Sequence, residues 1–281
     1  WPNFIRVIKN RNIPIYLVSG RLGDVDFRSY KRFRFFFKHV FNNLNGLFMQ
    51  TQLDEKRMKE LCCNDNVKVL GSLKFDIGHE KDKTNLGYLL PEGFLLCALS
   101  THRGDEEIII NTFIKLKDNY KNLKLILIPR HLNRVNEIIA IIRENELTYT
   151  LRSEEKKCGT DIFIVDTMGE VSGVLPKIDL VIMGGSFSKK VGGHNIIEPA
   201  FYKKSVICGH HMENFKDIFD MFKRENAVIE VSKDELSEKI SNLISNKEKL
   251  KQIGERAFSI LKTNSGTAER IFIEIVKENL S

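Results

Sequence analysis

No stretch of about 18 uncharged apolar residues occurs in the chain, and the opening decapeptide WPNFIRVIKN lacks the long apolar core of a signal peptide. Neither a membrane-crossing helix nor a secretory leader is predicted. The five cysteines contain no C-x-x-C pair, so neither a zinc site nor an even disulfide framework is expected; they read as buried free thiols in a reducing compartment. No G-x-G-x-x-G follows the first strand of the second half, which disfavours a nicotinamide or flavin dinucleotide. Absence of a G-x-S-x-G elbow and of a Walker loop lowers the case for a serine hydrolase or a P-loop nucleotidase. There is no internal repeat and no low-complexity tract. An initiator methionine is missing too: the chain opens on Trp1, which predicts a fragment whose true start lies upstream.

What is present fits a globular α/β protein. The 281 residues, 42% of them hydrophobic, suffice for one large or two ordinary domains. A formal charge of +7 favours anionic partners: phosphorylated metabolites, nucleic acid or an anionic membrane surface. The basic residues are spread along the chain instead of gathered on a known reading motif, so nucleic acid is not the predicted partner.

Helix and strand patterns alternate from the start: a helix over Asn3 to Asn10, a strand over Ile13 to Val18, strands at Gly46 to Thr51 and Val67 to Leu70 around a helix at Leu53 to Leu61. Residues 1–76 read as part of one domain, 77–90 as a polar linker, 91–263 as a second, Rossmann-like domain, and 264–281 as a helix packing back. In the second half, strands are predicted at Phe94 to Ser100, Leu123 to Ile128, Ile162 to Asp166, Leu180 to Met183, Val206 to Cys208 and Val228 to Val231, with helices between them. RSYKRFRFFFKHVFNNL, Arg28 to Leu44, carries five basic residues and no acid. As one helix it would turn Phe33, Phe36, Phe37, Val40, Phe41 and Leu44 to a core and present Phe35 among Arg28, Lys31 and Lys38. That second face is either plain solvated surface or a contact for anionic lipid.

Candidate chemistry centres on MGGSFSKKVGGHNIIEPA, Met183 to Ala200. It reads as strand, glycine loop and helix, with Gly185, Ser186, Gly193 and His194 in the loop and Asn195, Ile196, Ile197 and Glu198 opening the helix. The stretch is either an ordinary strand-to-helix turn or an anion site beside a carboxylate that can accept from ribose hydroxyls. Three more loops should meet it at the carboxyl edge of a parallel sheet: STHRGDEE from Ser100, PRHLNR with Pro129, Arg130 and His131, and DTMGE with Met168, Gly169 and Glu170. Arg130 can clamp a phosphate, the Gly169 and Glu170 amides open a short helix, and a cytidine-like base could stack near Met168. Arg21, after the first strand, is a further candidate anion contact. His131, His194, His210 and His211 lack zinc-helix spacing and suit orienting roles.

STHRGDEE, PRHLNR, DTMGE, GGHNIIEPA and GHHMENF together resemble the motifs of the bacterial Kdo transferases, which move 3-deoxy-D-manno-oct-2-ulosonic acid (Kdo) from CMP-Kdo to a lipid A precursor. Trp1-Pro2-Asn3, Ser19 to Leu22 and Gly71 to Asp76 resemble further segments of that family, in the same order, with Gly20 for its Ala, Ser72 for its Asn and His210 for its Pro. The resemblance implies a two-domain glycosyltransferase-B fold with the first domain incomplete. It also implies CMP contacts from Pro129, Arg130, Met168 to Glu170 and Asn195 to Glu198, no cofactor and no metal. The family's catalytic glutamate would lie upstream of Trp1, so none is expected in this chain, and a non-catalytic nucleotide-sugar-binding module is the alternative. The expected partners are CMP-Kdo, the lipid A precursor and the anionic inner membrane, at whose cytoplasmic face the protein would sit peripherally.

Overall fold

In a computed structural model of the chain, residues 2–63, 65–76 and 86–280 are described. They divide into two compact units, one of Trp1–Gly78 with Thr263–Ser281 and one of His79–Lys262. Part of the predicted linker, 77–85, lies outside the described residues.

Unit 1 runs α1 (Pro2–Lys9), β1 (Tyr16–Gly20), α2 (Asp24–Arg32), α3 (Arg34–Asn42), β2 (Gly46–Met49), α4 (Gln52–Leu61) and β3 (Val67–Val69). Its strands form a parallel sheet in the order β1-β2-β3. Leu47, Met49, Met58, Leu61, Val67, Val40 and Phe41 make its core. The basic aromatic stretch is two helices, where the sequence predicts one. Phe33 leaves helical geometry at φ −109°, ψ 34° between α2 and α3. In a single helix Tyr30 and Phe37 would stand about 10 Å apart along the axis; the break lets their rings meet at 4.3 Å. The same break turns Phe33 and Phe36 outward, 51% and 45% exposed, so only Phe37, Val40, Phe41 and Leu44 of the predicted face reach the core.

Unit 2 follows as β4 (Phe94–Thr101), α5 (Asp105–Lys117), β5 (Leu123–Pro129), α6 (Val135–Glu144), β6 (Tyr149–Leu151), β7 (Ile162–Ile164), α7 (Val171–Val174), β8 (Leu180–Met183), α8 (Ile197–Phe201), β9 (Ser205–Cys208), α9 (Lys216–Arg224), β10 (Ile229–Glu230), α10 (Leu236–Ile244) and α11 (Lys247–Asn264). The sheet is parallel throughout, ordered β10-β9-β8-β4-β5-β7-β6. Runs such as LLCALS and LKLILIP are apolar on both faces because helices cover both sides of the sheet. Leu96, Leu125, Ile162 and Ile182 of the strands pack in one cluster with Ile109 and Phe113 of α5, Ile138 and Ile142 of α6, and Ile240 of α10. β6, a three-residue edge strand, and α9 are the two elements missed by the sequence pattern. Strand order reverses between β4 and β8, so the loops leaving those two strands flank the crevice where doubly wound sheets hold ligands.

α12 (Thr267–Leu280) returns the chain to unit 1. Asp76 accepts from the backbone N–H groups of Gly266, Thr267 and Ala268, capping α12 from 190 residues away. Four of the five cysteines are buried, as predicted; Cys63 is exposed.

Candidate functional site

The crevice is built by backbone packing between the loops after β4 and β8. Ser100 adopts a left-handed φ of 58°, and its carbonyl lies so close to Gly184 that an added Cβ would approach it to 2.3 Å. Gly185 and Gly193, at φ 70° and 72°, turn the second loop back on itself, and the Gly193 N–H donates to the Gly185 carbonyl at 3.0 Å.

Asp105 ties the two loops. One oxygen, Oδ2, accepts from the His102 N–H at 2.8 Å and from the Gly185 N–H at 2.7 Å. Burial pushes its carboxyl up to about 6 despite those two donors, so desolvation outweighs hydrogen bonding here. Beside it, fully buried Glu106 takes a forked ion pair from Arg134, at 2.9 and 3.2 Å, fixing the loop after β5 to the start of α5. The Arg130 N–H donates to the Thr101 carbonyl at 3.0 Å, while the Arg130 side chain is exposed.

Histidines fill the mouth. The Nε2 atoms of His102 and His194 are 2.7 Å apart, with rings 9° from parallel and centroids at 4.9 Å. His131 stands edge-on to His102, centroids at 5.3 Å. Burial, then the neighbouring charge of His102, pulls His194 down to about 4; burial, then His131, lowers His102. Among the described residues no group of three or more His, Cys, Asp or Glu is arranged to hold a metal ion. The Thr101 hydroxyl is buried with no hydrogen-bond partner in this same loop, an arrangement that costs about 1–3 kcal/mol until a polar group meets it.

Three of the four loops named from the sequence are thus joined by direct contacts, carrying Ser100, Pro129, Arg130, His131, Gly185, Gly193 and His194. Asn195 accepts from the Ile197 N–H through Oδ1 at 3.0 Å, so the helix begins at Ile197 and not at Asn195. That helix, α8, has only five residues; Ile196 and Ile197 are buried and Glu198 is half-buried. Its dipole is correspondingly small, which leaves the exposed Arg130 guanidinium as a full positive charge of these loops that acts on both His102 and His194. Ser186 is buried with its hydroxyl committed, donating to the Met183 carbonyl and accepting from the Gly209 N–H. The fourth loop joins the far side of the sheet. Glu170 pairs with Arg152 at 2.9 Å, and Asp166 accepts from Ser153. Met168 is 85% exposed there, beside Gly169, whose missing Cβ faces open space. Arg21 lies in unit 1, where it lines a mostly apolar cavity of about 320 Å³ with Phe4, Leu17, Leu44 and Met58. His102, Asp105 and Arg134 were not singled out from sequence, although all three stand within its named motifs.

Residues 1–77 match the family model described as 3-deoxy-D-manno-octulosonic-acid transferase (kdotransferase). The whole chain aligns with a bifunctional glycosyltransferase/methyltransferase of Fusobacterium nucleatum at 33% identity, covering 44% of that protein. It aligns at 29% identity with a 3-deoxy-D-manno-octulosonic acid transferase of Haemophilus influenzae, covering 67% of it. The chain therefore spans under half of the first relative's length and two thirds of the second's. Among solved structures, the C-terminal CMP-Kdo binding domain of WaaA from Acinetobacter baumannii matches 64% of this chain and 94% of its own, with TM-score 0.59 and 25% identity. Anabaena Alr3699/HepE, solved with UDP, matches 98% of this chain and 75% of its own at TM-score 0.58 and 13% identity, a likeness of fold. The architecture is the glycosyltransferase-B type.

Proposed function

From these similarities we propose that the chain is a Kdo transferase and takes part in inverting transfer of Kdo from CMP-Kdo to a lipid A precursor in lipopolysaccharide synthesis. The observation that carries the donor side is the junction of three loops at the β4/β8 crevice, with the exposed Arg130 guanidinium close enough to His102 and His194 to act on both. These groups suit a phosphate, and Glu198 suits the ribose hydroxyls of CMP. Exposed Met168 and the open face over Gly169 leave room for the base. In the transfer an acceptor hydroxyl attacks the anomeric carbon of Kdo after losing its proton to a carboxylate base, and CMP departs with the bonding pair. Arg130 stabilises the charge growing on the departing phosphate. The base is not assigned to any residue of this chain.

Unit 1 suits the acceptor side. Its apolar cavity beside Arg21, and Phe33, Phe35 and Phe36 standing exposed among basic residues, favour an acylated, phosphorylated acceptor held at an anionic membrane surface. The protein would act at the cytoplasmic face of the inner membrane. Among the described residues no helix is long and apolar enough to cross a membrane.

Calorimetry with CMP tests the donor site. Arg130→Ala and Glu198→Ala should each weaken CMP binding by roughly 10- to 100-fold, the range for losing a charged hydrogen-bond partner, while thermal melts stay close to the parent's. Unchanged CMP affinity in both variants would overturn the assignment.

A further inference from the structure

The His102–His194 contact has an unusual protonation requirement. Two neutral imidazoles can share a 2.7 Å Nε2···Nε2 contact only if one carries its hydrogen on Nε2 and the other on Nδ1. A first added proton, taken at the free Nδ1 of the donor ring, leaves that bond in place and makes it charge-assisted. A second would set two N–H groups against each other and break it. The pair can therefore hold one extra proton and no more.

The surroundings decide when that proton is held. From the loop after β5, Arg130, His131 and Arg134 disfavour a cation on His102. Arg130 and His131 act in the same sense on His194. Glu106 favours a cation on His102, but its carboxylate is committed to Arg134. Asp105, from the start of α5, is taken up by two backbone donors. Arg134 is neutralised by Glu106, whereas Arg130 has no carboxylate partner among the described residues, so its charge is the one a bound anion would cancel.

We infer that His102 and His194 work as one proton-holding unit of the anion site, neutral in the ligand-free protein and taking up a single proton when a phosphate monoester docks at Arg130. The inference rests on the CMP reading given above. It makes the pair a supplier of positive charge beside the phosphate, matched to a leaving group that gains negative charge as it departs.

Titrating CMP at pH 7 in PIPES and in Tris, whose ionisation heats differ, counts the protons exchanged on binding. CMP's own phosphate contributes equally to every variant, so the difference isolates the histidines. The parent should take up about one proton more than His194→Gln or His102→Gln, and its CMP affinity should rise more steeply than theirs as pH falls from 8 to 6. Equal counts in parent and folded variants, with CMP still bound, overturn the proton unit alone. No CMP binding by the parent overturns the nucleotide reading and the unit with it. Should both variants fail to fold by circular dichroism, proton NMR of the parent decides: the titration midpoints of His102 and His194 must rise with CMP, and unmoved midpoints refute the inference.

Discussion

Buried Asp105 and half-buried His194 at the crevice pull the stability of the protein in opposite directions over the same pH range. Asp105, raised to about 6 by burial, keeps its proton in the folded state after the unfolded chain has lost it. Its contribution therefore falls as pH rises from about 4 to about 6. His194, lowered to about 4, binds fewer protons folded than unfolded, so its contribution rises as pH climbs from about 4 to about 6.5. The two slopes oppose, and the parent should show a muted profile in this window. Asp105→Asn keeps one oxygen able to accept from both N–H groups while removing the carboxyl titration. Its melting temperature should then rise more steeply than the parent's between pH 4 and pH 6.5, as scanning calorimetry would register; a parallel profile would refute the balance. None of this was legible from sequence. STHRGDEE marked a ligand-edge loop, but that Asp105 would face inward to a glycine 80 residues on is fixed by packing at the strand reversal. Arg134 and Glu106 stand in two separate motifs, and their buried pairing depends on a separation of 28 residues closing in space.

At the scale of elements, pattern reading succeeded where burial alone sets the period. The bilaterally apolar strands of unit 2 and α6, Val135–Glu144, follow from their residues with little help from context. It failed where ring packing overrode helix continuity, at Phe33, and where a side-chain bond shortened a helix, at Asn195. The helix break gives α3 a distinct exposed edge. Phe35 is 83% exposed with Arg34 beside it and Lys38 one turn on. An aromatic in that setting contributes by apolar insertion, and each basic residue near an anionic surface by about 1 kcal/mol. Phe35→Glu removes the first and opposes the second, so it should lower binding to vesicles containing anionic lipid several-fold in a sedimentation assay. The side chain leaves no cavity, so thermal stability should hold. Equal sedimentation of parent and variant would remove α3 from the membrane-facing reading.

The whole molecule joins two units of unequal build. Unit 2 rests on a seven-stranded sheet with helices packed on it, whereas unit 1 has three strands and several aromatics open to solvent. Burial of apolar surface scales with core size, so unit 1 should unfold at the lower temperature. The residues proposed to hold CMP, from Ser100 through Glu198, belong to unit 2, and a ligand stabilises only what it binds. At a hundredfold excess over its dissociation constant, CMP adds about 2.7 kcal/mol to the unit that holds it. Hydrogen exchange read by mass spectrometry should then show new protection in the segments after β4, β5 and β8. The segment after β7 should follow if the base reaches Met168, while β1 to β3 stay unchanged. Calorimetric scans should show the upper transition rising with CMP and the lower one fixed. Protection confined to unit 1, or an upper transition indifferent to CMP, would place the nucleotide somewhere other than the strand-reversal crevice and dissolve the roles given to Arg130 and Glu198 together.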